Sequence, residues 1–161
     1  MAAPSGVACP VLLVAMAHTE HRAYQHTVLV VDDEESIRFA LADYLIQKGH
    51  RVDIARTRPE AERRLAEHDY SAVITDLQLT RADQRGGLEL IRSIHAHTPR
   101  TATVLVTAYR TLGLDGEAAR LGCKVVLRKP FPLDVIARVL VDIPCRAPVT
   151  APHTVNEARA S

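Results

Sequence analysis

Between residues 27 and 143, short continuous apolar runs alternate with longer segments whose apolar positions recur every three or four residues. Val28-Leu29-Val30-Val31 is the first run, and its lack of any polar position marks a strand covered on both faces. Residues 35–48 place Ile37, Leu41, Tyr44 and Leu45 at helical spacing, with Gly49 as the stop. Residues 52–55 read as a second strand, and Pro59 suits the first turn of a helix reaching Glu67. Ala72-Val73-Ile74-Thr75 is a third strand, followed by a helix over residues 88–96 with Leu88, Ile91 and Ile94 on one side. Thr103-Val104-Leu105-Val106 is the fourth strand, and a weaker helix over 115–121 ends at Gly122. Val125-Val126-Leu127 and a helix over 133–141 complete the pattern.

Five strands separated by helices call for parallel pairing through right-handed crossovers, hence an open, doubly wound α/β sheet. Of the two common strand orders, the dinucleotide-binding one carries a glycine fingerprint after the first strand. Here Asp32-Asp33-Glu34 stands in that place, which favours the flavodoxin-like order 2-1-3-4-5.

Composition narrows the function. A chain of 161 residues, 47% apolar and 24% charged, accommodates one ordinary domain. A net charge of +1 gives no field that would draw it to nucleic acid or anionic lipid. Cys9, Cys123 and Cys145 form neither a disulfide framework nor a zinc pattern, which fits a reducing cytosol. Residues 1–26 read as a disordered extension. The apolar stretch at 7–17 is too short to span a membrane, and Ala15-Met16-Ala17, although shaped like a signal cleavage site, has no Lys or Arg before residue 7. Met16 is an alternative start to Met1. His18, His21 and His26 with Glu20 could suggest a metal cluster, but a solvated linker is the simpler reading. Residues 144–161 lack hydrophobic period and read as a disordered tail, too short for an output domain.

In open α/β sheets ligands bind outside the carboxyl ends of the strands, at the switch point. Those ends carry Asp32 and Asp33, Asp76, Thr107 and Lys129. Each has a plain reading alone: a helix cap, a β-favouring threonine, a Lys-Pro turn. Together, three carboxylates on one rim repel one another and call for a hard divalent cation such as Mg²⁺. A lysine there suits an ion pair with Asp76 or with a phosphoryl oxygen, and a hydroxyl adds a donor. This is a sensible place to form an aspartyl phosphate.

Val-Leu-Val-Val-Asp32-Asp33-Glu34, Val-Ile-Thr-Asp76-Leu, Val-Leu-Val-Thr107-Ala108 and Leu-Arg-Lys129-Pro130-Phe131 resemble the motifs of two-component response-regulator receiver domains. The resemblance implies that Asp76 is the phosphoacceptor, supplied by a histidine kinase or phosphotransfer protein. It implies Mg²⁺ held by Asp32, Asp33, Asp76 and the backbone carbonyl of Gln78, and phosphoryl contacts from Thr107 and Lys129. It also implies a cis Lys129-Pro130 bond. Two features depart from the pattern. Val126 stands where the family usually has an aromatic that moves with the threonine, Tyr109 being the nearest aromatic that could substitute. Residues 80–86 form a longer loop, without proline, beside the site.

The expectation is therefore a receiver domain over residues 27–143, cytoplasmic and free of membrane or direct nucleic-acid partners. It would act by protein–protein contact on an unidentified downstream protein, with no enzymatic turnover beyond its own phosphorylation and slow dephosphorylation. The alternatives are a phosphate-independent pseudo-receiver, supported by Val126, and an Asp76 phosphatase. The latter is disfavoured because Gln78 occupies the position of the needed second acid.

Overall fold

The computed structural model describes residues 26–109 and 112–144. Most of both terminal segments, with His18, Glu20, His21 and Met16, therefore lies outside the described residues. The elements follow in strict alternation: β1 (Thr27–Val31), α1 (Glu35–Gln47), β2 (Arg51–Ala55), α2 (Arg58–Glu67), β3 (Ala72–Asp76), α3 (Gly86–His97), β4 (Ala102–Thr107), α4 (Leu114–Arg120), β5 (Val125–Arg128) and α5 (Leu133–Val141). All five strands pair in parallel in the order β2-β1-β3-β4-β5. Both the strand order and the doubly wound α/β class are as expected from the sequence.

The unbroken apolar runs have a direct cause in the two-sided core. Val28 and Val30 of β1 face one layer with Leu41 and Leu45 of α1 and Ile136 and Leu140 of α5. Leu29 and Val31, one residue out of phase, face the other layer with Ala61 of α2 and Leu90 and Ile94 of α3. A further group on β4, α3 and α4 joins Leu105 to Leu88, Ile91, Leu114 and Ala118. Each fully buried Leu or Ile contributes about 1.5–3 kcal/mol, so a polar residue at any of these positions would be costly.

Helix ends follow local chemistry. Gly49 takes a φ of +88° beyond α1, and the Gly49 and His50 N–H groups donate to Ile46 and Leu45. Thr57 caps α2 by accepting from the Glu60 N–H at 3.4 Å, while the Glu60 carboxylate reaches one residue further back and accepts from the Arg56 N–H at 2.9 Å. α3 begins two residues earlier than its apolar pattern indicates, at Gly86, because Gly86 fits under the Asp83 side chain and Gly87 against the backbone at the end of β3.

At the opposite end of the sheet from the β-strand carboxyl termini, His26 is not part of a solvated linker as its polar neighbours suggested: it is fully buried beside β1, and its N–H donates to His50 Nδ1 at 3.2 Å. Burial, and then the charge of His50, push its pKa below 6.5, with the Leu140 backbone pulling weakly upward. The unfolded chain therefore binds this proton more readily, so the contribution of neutral His26 is intact above the ordinary histidine range and is lost as pH falls through it. Chemical denaturation of wild type and His26→Gln between about pH 7.5 and 5.5 should show wild type losing stability relative to the variant on acidification. The slope should not exceed about 1.4 kcal/mol per pH unit, that of a single proton. Parallel curves would contradict the assignment.

Candidate functional site

The carboxyl ends of β1, β3, β4 and β5 lie side by side, and the residues that leave them form the site. One carboxylate oxygen each from Asp32, Asp33 and Asp76 lies within 4.8 Å of the others. Lys129 reaches in from the far end of the chain, its Nζ 2.8 Å from Asp32 Oδ2 and 3.4 Å from Asp76 Oδ2. The ion pair with Asp76 expected from the sequence is present, and Asp32 makes a second, shorter contact that was not expected. The reason is burial. Asp32 is only 2% exposed, so its carboxylate requires a counter-charge, which Lys129 provides.

Asp32 does not cap α1. Its Oδ1 accepts the Glu34 N–H at 2.9 Å, closing a local side-chain turn, and the α1 N-cap, Glu34, makes no side-chain capping bond. Asp76 is held at both oxygens, Oδ1 accepting the Leu77 N–H at 2.9 Å while Oδ2 faces Lys129. Burial lifts the Asp76 pKa to about 6; Lys129 opposes this, the Asp32 charge adds to it, and the Leu77 N–H opposes it again. For Lys129, burial acts downward, yet the hydrogen bond to Asp32 and the charges of Asp76 and Asp32 outweigh it, and its pKa lies above the usual value. One lysine is thus too little positive charge for three gathered carboxylates. An all-oxygen donor set of this kind fits a hard divalent cation with room for further ligands.

Thr107 sits on the same rim, fully buried at the end of β4. Its hydroxyl accepts the Tyr109 N–H at 3.0 Å, and its carbonyl accepts the Lys129 N–H at 2.8 Å, tying β4 to β5. The Lys129-Pro130 bond is cis. Gln78 lies just beyond Asp76, on the wall of a cavity of about 360 Å³ that Tyr109, Arg85 and Glu117 also line. The long loop over 80–86 is anchored on both sides: Asp83 pairs with Arg58 of α2 at 3.4 Å, and Arg85 pairs with Glu117 of α4. Val126 is half-buried against Leu105, Leu114 and Ala118, a core position, whereas Tyr109 is 58% exposed.

Two arginines escaped sequence reasoning. Arg128 donates to the Tyr109 carbonyl at 3.2 Å and pairs with Asp115 of α4 at 3.1 Å, so it bridges the β4–α4 loop to the helix. Arg38 donates from a buried position to the Asp32 carbonyl at 2.6 Å. Its signal was present: position 38 shares the α1 stripe of Leu41, Ala42 and Leu45, where a charge is out of place.

A family model described as the response regulator receiver domain matches residues 28–140. The response regulator protein FleR of Pseudomonas aeruginosa is 35% identical over 119 residues, covering 74% of this chain and 24% of FleR. The chain thus spans about a quarter of the length of that relative and of several others like it. A probable chemotaxis protein CheY of Rhizobium etli is 32% identical over 108 residues, covering 66% of this chain and 83% of that protein. Among solved structures, a CheY-like receiver domain protein of Methanospirillum hungatei superposes with a TM-score of 0.68 at 22% identity, covering 73% of this chain and 91% of that one. TrrA of Thermotoga maritima, solved in complex with Mg²⁺-BeF, gives 0.63 at 27% identity, covering 71% and 96%.

Proposed function

The chain belongs to the response regulator receiver domain family of two-component signalling, and from that premise we propose that it accepts a phosphoryl group on Asp76. The observation that carries this reading is the convergence of Asp32, Asp33, Asp76 and Lys129 at one rim, from positions spread across 97 residues of chain. The donor is a phosphohistidine on a histidine kinase or phosphotransfer protein. An Asp76 carboxylate oxygen attacks phosphorus, the N–P bond breaks, its electron pair leaves with the imidazole nitrogen, and a mixed acyl phosphate remains.

Asp32, Asp33, Asp76 and the Gln78 backbone carbonyl are the groups that would hold Mg²⁺. When bound, the ion neutralises the carboxylates and offers positions to phosphoryl oxygens. TrrA, whose structure holds Mg²⁺-BeF, supports that choice of cation. Lys129 stabilises the equatorial oxygens of the transferring group as a fixed positive charge. For Thr107 to donate to a phosphoryl oxygen, its hydroxyl must release the Tyr109 carbonyl, to which it donates at 3.4 Å and which Arg128, paired with Asp115 on α4, also reaches. A surface change at α4 and β5 would then be read by a downstream protein. Phosphate-ester hydrolysis at Asp76 is disfavoured, since Gln78 offers no general acid. A donor that draws on ATP places this exchange in the cytoplasm.

Incubation with acetyl phosphate and Mg²⁺ should add one phosphoryl group to the intact mass of the chain, and excess EDTA should prevent it. Adduct formation unaffected by the chelator would contradict the role given to the cation.

A further inference from the structure

Arg38 places a positive charge next to a site that must itself attract a cation. Charge counting alone gives it no purpose, because a nearby guanidinium repels a divalent ion and so weakens its binding. Yet Arg38 is only 8% exposed, in line with the apolar stripe of α1, and its guanidinium donates to the Asp32 carbonyl at 2.6 Å.

That contact completes a set. The Asp32 N–H donates to Ala55 on β2 at 3.2 Å, Oδ1 accepts the Glu34 N–H, Oδ2 takes Lys129, and the carbonyl takes Arg38. The Arg38 N–H meanwhile donates to the Glu34 carbonyl at 3.0 Å in the first turn of α1. Arg38 therefore closes the β1–α1 turn from the helix side, its backbone on one end and its side chain on the other. Asp33 lies inside that closed turn. Its carboxylate is exposed, so its aim toward Asp32 and Asp76 is set by the backbone of the turn.

We propose that Arg38 is a positioning residue for the divalent cation, holding the Asp32–Asp33 turn so that both carboxylates converge with Asp76. The inference rests on the Mg²⁺-dependent reading given above. It makes a prediction opposite in sign to plain electrostatics. Removing a competing positive charge should tighten Mg²⁺ binding, whereas losing the brace should weaken it.

Calorimetric titration of the full chain with Mg²⁺ decides between them. Arg38→Met, which keeps the apolar stem, should bind about tenfold more weakly than wild type, the usual scale for residues supporting metal ligands. Arg38→Lys, which keeps the charge and one donor, should recover most of the affinity. The Glu34 amide should exchange with solvent faster in Arg38→Met, while Lys124 and Val125, at the far end of the sheet, keep their protection. Should Arg38→Met not fold, Arg38→Gln serves by the same sign, since it also removes the charge and shortens the reach. Unchanged or tighter binding in the neutral variant overturns the proposal. Failure of wild type to bind Mg²⁺ at millimolar concentration would remove the underlying reading and the proposal with it; normal wild-type binding with an insensitive variant removes only the proposal.

Discussion

Gly87→Ala is expected to lower the unfolding free energy by about 3 kcal/mol or more, the upper range for forcing an extra carbon into a packed core. A Cβ at this position would lie 2.1 Å from the Asp76 carbonyl oxygen, 2.9 Å from its carbon and 3.0 Å from Leu77 Cα. All three are backbone atoms, so no side-chain rotation can relieve the clash. Either α3 moves off the end of β3 or the backbone of Asp76 moves, and the Gly87 N–H bond to the Leu77 carbonyl at 3.0 Å is strained in both cases. The same substitution at Gly116 is the control. It lies within α4 with nothing within 4 Å of the added carbon, so Gly116→Ala should stabilise by up to about 1 kcal/mol through helix propensity. Thermal unfolding should separate the pair, with Gly87→Ala melting roughly 10 °C or more below wild type and Gly116→Ala slightly above it. Equal melting temperatures would mean that α3 does not pack against Asp76 as described.

Lys129→Met should leave a folded chain that is deficient in two measurable ways. The first is stability without divalent cation. Asp32 is 2% exposed and loses the ammonium 2.8 Å away, a loss on the order of 3 kcal/mol for a buried pair broken on one side. Added Mg²⁺ should restore part of it by mass action on the folded state. The second is chemistry. Removing a preorganised positive group from a transferring phosphoryl should slow phosphorylation by roughly 10²–10³-fold. Lys129→Arg is informative beside it, because the charge survives but a planar fork replaces a compact ammonium between two carboxylates. A wild-type rate in Lys129→Met would show that the lysine neutralises Asp32 and does nothing for the acceptor.

Much of this was legible in the chain because the sheet is buried on both faces. Val28 to Val31 could be read as a strand since every position in it serves one core or the other, and its odd and even residues divide between α2–α3 and α1–α5. The five site residues, Asp32, Asp33, Asp76, Thr107 and Lys129, were legible because strand ends converge at a switch point whatever the loops do. What remained hidden depends on distances the pattern does not encode. Lys129 pairs with both carboxylates but sits closer to the more buried Asp32, a ranking that alternation of residue types does not give. Arg38 was passed over because a single charge in an apolar stripe is easily taken for a helix-edge residue, when its side chain in fact turns back to the β1–α1 turn. The longer loop over 80–86 gave no sign of its two anchors, since Arg58 and Glu117 lie on separate helices far from it in sequence.

The central claim is that Asp76 receives the phosphoryl group. Fragment mass spectrometry after treatment with acetyl phosphate and Mg²⁺, on wild type and Asp76→Asn, tests it most directly. One phosphoryl group confined to the wild-type fragment that contains Asp76, and none on the variant, is the predicted result. An adduct elsewhere in the chain, or one that persists in Asp76→Asn, would contradict it.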